Sequence, residues 1–165
     1  MKKHKIVTNI SAYASQKELP NTERVLFESA LKASAYAYAP YSGFRVGAAV
    51  LLEDGTIVTG NNQENAAYPS GLCAERVALF SASSNYPGMA VKAIAITAQG
   101  RNNLSKNPLT PCGACRQVMV EYEMLSKGSV KIIMDGNNGE VLVTDSVKSL
   151  LPLAFDANIM KGKKE

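Results

Sequence analysis

The chain has 165 residues, of which 46% are hydrophobic and 19% are charged, and its formal net charge is +4. This length and composition suit one globular domain, and lysines near the two ends carry much of the small positive charge, so a nucleic-acid partner is not expected. No apolar run approaches the roughly 18 residues of a membrane span, and polar residues interrupt the stretch after the basic N-terminus. We therefore predict neither membrane contact nor a secretory signal.

The first half of the chain predicts an extension, a helix and a β-hairpin. Residues 1–20 show little pattern, and we treat them as an N-terminal extension. Apolar side chains then recur at helical spacing, and Pro40 disfavours helical geometry just before it, so a helix is predicted from residue 23 to about residue 39. Two antiparallel strands joined by a tight Asp-Gly turn are predicted next, over residues 45–53 and 56–59.

The second half alternates helices and strands. Helices are predicted over residues 73–84 and 112–124, and strands over residues 91–98, 130–134 and 141–144. A polar loop is predicted over residues 99–109, and Ser146 is expected to cap a short final helix. The turn before the last strand is too short for a parallel crossover, so the last two strands are predicted to be antiparallel. The element order predicts an α/β fold with a five-stranded mixed sheet and helices on its faces.

The three cysteines of the chain occur in two short segments. Cys73 begins the sequence Cys-Ala-Glu-Arg, and 39 positions later Cys112 and Cys115 form a Pro-Cys-x-x-Cys motif. Three thiolates leave the fourth tetrahedral position of a zinc ion open for water, as catalytic zinc requires, and the metal lowers the pKa of that water from about 15.7 toward about 7. Glu75, two residues after Cys73, is then placed to move protons. Both segments are expected to open helices, whose N-terminal N–H groups stabilise thiolates.

Two other interpretations of the Cys112–Cys115 pair remain open, a redox pair and half of a structural zinc site. A redox pair needs neither Cys73 nor Glu75, and a structural site normally takes a fourth protein ligand. The chain has no fourth cysteine, and its only histidine, His4, lies in the basic N-terminal segment. These observations favour catalytic zinc. The odd cysteine count argues against a disulfide framework and predicts a reducing, cytoplasmic location.

Two arginines lie close to the predicted ligands. Arg76 and Arg116 either face solvent or donate to a cysteine sulfur, and the sequence leaves both interpretations open. Donation to a sulfur would offset the net negative charge of three thiolates around Zn²⁺.

Several segments resemble, in order, those of the cytidine deaminases that act on free nucleosides. They are Tyr-Ala-Pro-Tyr-Ser-Gly-Phe at residues 38–44, Val-Gly-Ala-Ala at 46–49, Asn-Gln-Glu-Asn-Ala-Ala-Tyr at 62–68, Cys-Ala-Glu-Arg at 73–76, Pro-Cys-Gly-Ala-Cys-Arg-Gln-Val at 111–118 and Leu-Leu-Pro-Leu-Ala-Phe at 150–155. The cysteine and glutamate pattern is also that of zinc deaminases in general. The resemblance implies a three-layer α/β/α sandwich. It also implies hydrolytic deamination of cytidine and 2'-deoxycytidine in pyrimidine salvage, with one zinc ion per chain.

The resemblance also implies roles for residues that contact the nucleoside. Asn62 and Glu64 would bind the ribose hydroxyls, and Phe44 would pack against the base. The backbone at Ala74 would contact the edge of the base. Arg76 would donate hydrogen bonds to the zinc thiolates.

Small members of this family are homotetramers in which neighbouring subunits complete each active site. The resemblance therefore implies a homotetramer, and Tyr68 and Phe155 fall at positions that could lend side chains across a subunit interface. The deaminase domain is expected over residues 21–156, between the extension of residues 1–20 and a polar tail of residues 157–165.

Other activities compete with deamination of ordinary nucleosides. One is deamination of another cytosine-containing compound such as blasticidin S, which the match in the ribose-binding loop disfavours. A polynucleotide cytosine deaminase would want a basic groove and aromatic stacking platforms, and the sequence shows neither. A zinc-stabilised binding module without catalysis is the alternative outside enzymes.

Overall fold

The computed structural model describes residues 1–99, 107–136 and 138–160. Within these residues six strands form one sheet: β1 Ser11–Tyr13, β2 Val46–Leu52, β3 Ile57–Asn61, β4 Val91–Ala98, β5 Lys131–Asp135 and β6 Val141–Thr144. The helices are α1 Asn21–Ser34, α2 Ala74–Asn85, α3 Gly113–Leu125 and the short α4 Ala157–Met160. The strand order is β1-β6-β5-β4-β2-β3. Among the described strands only β4 and β5 pair in parallel, because the connection between them includes α3.

The helices cover both faces of the sheet and give three layers. Helix α1 buries Leu26, Phe27 and Ala30 against one face. Helices α2 and α3 bury apolar side chains, including Ala78 and Met119, against the other face. The predicted α/β/α sandwich with a mixed sheet is confirmed, as are the antiparallel pairings of β2 with β3 and of β5 with β6. None of the described helices is both long and apolar enough to cross a membrane.

The sheet has six strands where the sequence predicted five, because the N-terminal extension supplies β1. This strand pairs antiparallel with β6, with Ser11 opposite Val143 and Tyr13 opposite Val141. A segment of three residues is too short to show strand alternation in its sequence. Its pairing depends on the otherwise open edge of β6 rather than on its own pattern.

Helix α1 ends at Ser34, five residues before the predicted end near residue 39. The cause is a distant pairing, since the Tyr38 N–H donates to the Asn62 carbonyl (3.0 Å) and the Tyr38 carbonyl accepts from the Glu64 N–H (2.8 Å). A residue that bonds in this way to a neighbouring segment must leave the helix. Pro40 therefore set only an outer limit for the helix.

The predicted segments near the C-terminus also differ in detail. The short final helix expected after Ser146 is a 3-10 turn, Val147–Ser149, in which the Ser146 hydroxyl accepts from the Lys148 N–H at 3.1 Å. Helix α4 lies within the predicted polar tail, and residues 161–165 of that tail lie outside the described residues. Residues 100–106 of the predicted polar loop also lie outside them.

Candidate active site

The three cysteines come together at the N-terminal ends of two helices. Cys73 is the residue that precedes α2, and Cys112 precedes α3. The Cys112 sulfur lies 3.9 Å from the Cys73 sulfur and 3.5 Å from the Cys115 sulfur, and all three sulfurs lie within 4.8 Å of one another. Zinc–sulfur bonds of about 2.3 Å in tetrahedral geometry separate two sulfurs by about 3.8 Å. The donor set and its spacing therefore fit a zinc ion.

The thiols also have the electrostatic character of metal ligands. Hydrogen bonding from Cys115, aided by Arg76, lowers the pKa of Cys73 to about 5 although burial opposes this. The hydrogen bond with Cys73, together with burial, raises the pKa of Cys115 well above its usual value, because ionising Cys115 as well would place two anionic sulfurs side by side. A bound cation relieves that repulsion. No disulfide is expected among the three, which are free thiols.

Glu75 lies in the first turn of α2, next to the sulfur cluster. Only 4% of its surface is exposed. Burial raises the pKa of Glu75, and the nearby Cys73 sulfur raises it further. A carboxyl group with a raised pKa exchanges protons more readily near neutral pH, as a general acid–base group must.

The structure separates the two arginines, for which the sequence left two interpretations. Arg76 Nη2 lies 3.9 Å from the Cys73 sulfur and 3.5 Å from the Gly71 carbonyl. Arg116 donates instead to oxygens of the chain, from Nε to Pro111 at 2.8 Å and from Nη1 to Leu150 at 2.8 Å. Arg76 is thus next to the cluster, whereas Arg116 connects the segment before α3 to Leu150 near the C-terminus.

A cavity of about 510 Å³ opens beside the Cys73 end of the cluster. This volume lies within the range of sites that hold small ligands. The lining residues come from the turn after α1, the segment after β3 and the start of α2: Tyr41, Ser42, Asn62, Gln63, Glu64, Asn65, Tyr68, Gly71, Leu72, Cys73 and Arg76. Three predicted substrate-contacting residues, Asn62, Glu64 and Tyr68, are therefore in one cavity with a predicted metal ligand.

The two predicted ribose-binding side chains are already bonded within the chain. Asn62 Nδ2 donates to the Phe44 carbonyl (2.9 Å), and Asn62 Oδ1 accepts from the Val46 N–H (2.8 Å). Glu64 Oε2 accepts from the Tyr41 N–H at 2.8 Å, and Oε1 accepts from the Ser42 hydroxyl. These bonds fix the direction of both side chains at the cavity.

The remaining predicted residues surround this centre at different distances. Ala74 is the first residue of α2 and is fully buried. Phe44 is half-buried and does not line the cavity, although its carbonyl holds Asn62. Tyr68 is 76% exposed and stacks edge-on against Tyr41, with ring centroids 6.0 Å apart. Phe155 is 56% exposed, and its carbonyl accepts from Gln117 of α3 at 2.7 Å.

Sequence reasoning missed part of the cavity wall. Ser42 lies in a segment that resembled the family, but no role followed for it from the residues. Its hydroxyl contacts Glu64 across 22 positions of sequence, and no local pattern signals a contact of that separation.

Comparison with known proteins places the chain among zinc-dependent deaminases. The sequence model of the family described as "Cytidine and deoxycytidylate deaminase zinc-binding region" matches residues 20–130. A curated cytidine deaminase of Halalkalibacterium halodurans is 43% identical over 137 residues, which are 83% of this chain and 96% of that protein. A cytidine deaminase of Sporosarcina psychrophila is 44% identical over 136 residues, which are 82% of this chain and 91% of that protein.

Solved structures agree with the sequence comparisons. A crystal structure of cytidine deaminase from Burkholderia pseudomallei has a TM-score of 0.68 and 45% identity, and the match covers 79% of this chain and 97% of that one. The cytidine deaminase of Mycobacterium tuberculosis has a TM-score of 0.64 and 36% identity, over 81% of this chain and 97% of that one. On its sequence, its fold and its cluster of three thiols beside a buried glutamate, this chain belongs to the cytidine deaminase family.

Proposed function

We propose that this protein deaminates cytidine and 2'-deoxycytidine by hydrolysis, releasing uridine or deoxyuridine and ammonia, as a step of pyrimidine salvage. The observation that carries the proposal is the convergence of three thiols from two helix ends beside the buried Glu75, at the edge of the cavity. The family match supports the same chemistry.

Zinc is the cofactor, and Cys73, Cys112 and Cys115 would hold one ion per chain. When bound, it supplies a Lewis acid that makes water a nucleophile at neutral pH. The sulfur–sulfur distances of 3.9 and 3.5 Å support this ligand set. Arg76, 3.9 Å from the Cys73 sulfur, offsets part of the negative charge of the three thiolates.

Glu75 moves the protons of the reaction. Its carboxylate takes a proton from the attacking water and delivers it to ring N3, which makes C4 more electrophilic. It then takes the second proton of that water and passes it to the amino group, which leaves as ammonia. The burial that raises the pKa of Glu75 suits a group that alternates between the two protonation states.

The cavity residues orient the nucleoside. Asn62 and Glu64 would bind ribose hydroxyls, since an amide and a carboxylate together can donate to and accept from a diol. The backbone at Ala74 would contact the edge of the base, because N–H groups in the first turn of a helix have no partner within the helix. Phe44 would pack against the base.

We propose that the protein is a homotetramer with shared active sites. The support is the resemblance to the small homotetrameric deaminases, and the exposed side chains of Tyr68 and Phe155 are available to contact a neighbouring subunit. Sedimentation at micromolar concentration tests this, and a monomer would contradict it. Residues 21–156 would be the deaminase domain, the extension of residues 1–20 would add β1 to its sheet, and residues 157–165 would be the tail. The free thiols support a cytoplasmic location.

One experiment tests the function directly. Zinc is measured per chain in the purified protein while the loss of cytidine absorbance is followed. We expect about one zinc per chain and steady conversion to uridine. Blasticidin S and single-stranded DNA or RNA are assayed in parallel. Faster turnover of one of these substrates would reassign the substrate, and bound zinc without any turnover would indicate a binding module.

A further inference from the structure

The hydroxyl of Ser42 joins two walls of the cavity. It donates to Glu64 Oε1 and accepts from the Phe44 N–H at 3.0 Å. Because the Phe44 N–H occupies an acceptor position of the hydroxyl, its single proton is directed toward the carboxylate. Ser42 and Glu64 are 22 positions apart in sequence, so this bond connects the turn after α1 to the segment after β3.

The turn that carries Ser42 is itself built to hold the carboxylate. Gly43 has a φ of +67°, and its N–H donates to the Ala39 carbonyl at 3.0 Å, which closes a tight turn. The N–H groups of Tyr41 and Ser42 both reach Glu64 Oε2, at 2.8 and 3.2 Å. The carboxylate is thus fixed from two sides, one side made of backbone and the other of the Ser42 hydroxyl alone.

This arrangement leaves Glu64 with a defined capacity for a ligand. A carboxylate offers about four acceptor positions. Two donors occupy Oε2 and one occupies Oε1, so the remaining position is on Oε1, the atom that Ser42 holds. The hydrogen bond from Ser42 also lowers the pKa of Glu64, which keeps the group ionised and able only to accept.

We propose that Ser42 is a positioning residue that directs Glu64 Oε1 toward a ribose hydroxyl. Ser42 would thereby make the protein prefer nucleosides that carry this hydroxyl over those that lack it. This inference rests on the proposed function and adds a residue to it. Without the Ser42 hydroxyl, Oε1 loses its fixed direction while the Glu64 backbone and the Oε2 bonds remain.

The test compares Ser42→Ala with the unaltered protein on cytidine and on 2',3'-dideoxycytidine, which lacks both ribose hydroxyls that Glu64 could bind. On cytidine, KM should rise roughly tenfold, because a hydrogen-bonded charged contact becomes imprecise, while kcat should stay within about threefold. On the dideoxy compound, kcat/KM should be the same for both proteins within about threefold. Ser42→Thr, which keeps the hydroxyl, should restore most of the KM for cytidine.

Two further proteins separate positioning from a general loss of structure. The double variant Ser42→Ala, Glu64→Gln should have the same KM for cytidine as Glu64→Gln alone, because both changes remove the same contact. Ser29→Ala removes a hydroxyl that bonds within α1, to the Val25 carbonyl, and should change neither parameter. An unchanged KM for Ser42→Ala, an equal loss on both nucleosides, or additive losses in the double variant would overturn the proposal. If the unaltered protein deaminated neither nucleoside, the proposed function itself would fall.

Discussion

On both faces of the sheet a helix packs closely against a strand, but the three cysteines and Glu75 lie at helix starts on only one face. On the first face α1 approaches so closely that a Cβ added to Gly47 would lie 2.0 Å from the Ala30 carbonyl oxygen. On the second face a Cβ added to Gly60 would lie 2.4 Å from the Ala78 nitrogen of α2. In both cases a glycine in a strand lets the backbone of a helix lie directly on the sheet.

The difference between the faces is at the helix starts. Helix α1 follows Pro20, whose side chain has no atom that could bind a metal ion, whereas α2 and α3 follow Cys73 and Cys112. The free N–H groups of a helix start favour anions on either face. The faces therefore show that packing positions a helix, while the residue that precedes the helix decides whether its end becomes a site.

The largest expected difference between the faces is in kcat, when one glutamate on each face is replaced by glutamine. Glu75→Gln on α2 should lower kcat by at least about a thousandfold, because the amide cannot exchange protons. Zinc content and melting temperature should change little. Glu28→Gln makes the same substitution on α1 and should leave kcat unchanged. Steady-state kinetics of both variants measure kcat. A Glu75→Gln protein that kept a tenth of normal activity would show that Glu75 does not transfer the protons.

The cysteine side of the site could be predicted because its signal is local. Residue type and spacing identified Cys73, Cys112 and Cys115, and both segments open helices as predicted. That the three thiols are ligands stays a prediction. The burial of Glu75 could not be read from its neighbours in sequence, since it depends on how α2 packs onto the sheet.

The cavity wall around Asn62 was harder to predict from the sequence. Its geometry depends on bonds such as those from Asn62 to Phe44 and Val46, which join residues 18 and 16 positions apart. The end of α1 was predicted too late and the strand β1 was not predicted, both for the same reason. Each is determined by pairing with a distant segment, Tyr38 with residues 62–64 and β1 with β6.

The close approach on each face gives the next prediction. Gly47→Ala and Gly60→Ala should each lower the free energy of unfolding by about 1–3 kcal/mol, because the new methyl group meets backbone that cannot rotate away. Gly60→Ala should lower kcat/KM more than Gly47→Ala, since it displaces the helix that begins beside Cys73, whereas Gly47 only neighbours Val46, which holds Asn62. Gly128→Ala is the control, as the nearest atom to its Cβ lies 3.9 Å away. Denaturant unfolding and kinetics measure both effects, and equal activity losses in the two variants would contradict the separation of the faces.

A second buried glutamate on the site face, Glu123 of α3, supports structure rather than catalysis. Glu123 on α3 is 6% exposed and accepts from the Val130 N–H (2.9 Å), the Val147 N–H (2.8 Å) and the Ser146 hydroxyl (2.8 Å). Glu123→Ala should lower the free energy of unfolding by about 1–3 kcal/mol, because buried donors lose their acceptor. Glu123→Gln keeps one oxygen for the two N–H groups and should cost less. Urea unfolding of both variants tests this, and equal losses would show that the carboxamide oxygen does not replace the carboxylate.

The smallest effect is expected from the ion pair on the α1 face, between Lys131 of β5 and Glu23 of α1. Hydrogen bonding to Glu23 raises the pKa of Lys131 above its ordinary value of 10.5, although burial opposes this. The pair is partly exposed, so Lys131→Met should lower the free energy of unfolding by less than about 1 kcal/mol at neutral pH.

A raised lysine pKa stabilises the folded state below the unfolded pKa, and this contribution declines as pH rises through the folded pKa. The stability difference between the unaltered protein and Lys131→Met should therefore persist from pH 7 to about 10 and shrink above about 10.5. Urea unfolding across this range measures it, with Lys92→Met, at an exposed lysine of β4, as the control. A difference that grew at high pH would mean that the neutral lysine, rather than the ion pair, stabilises this face.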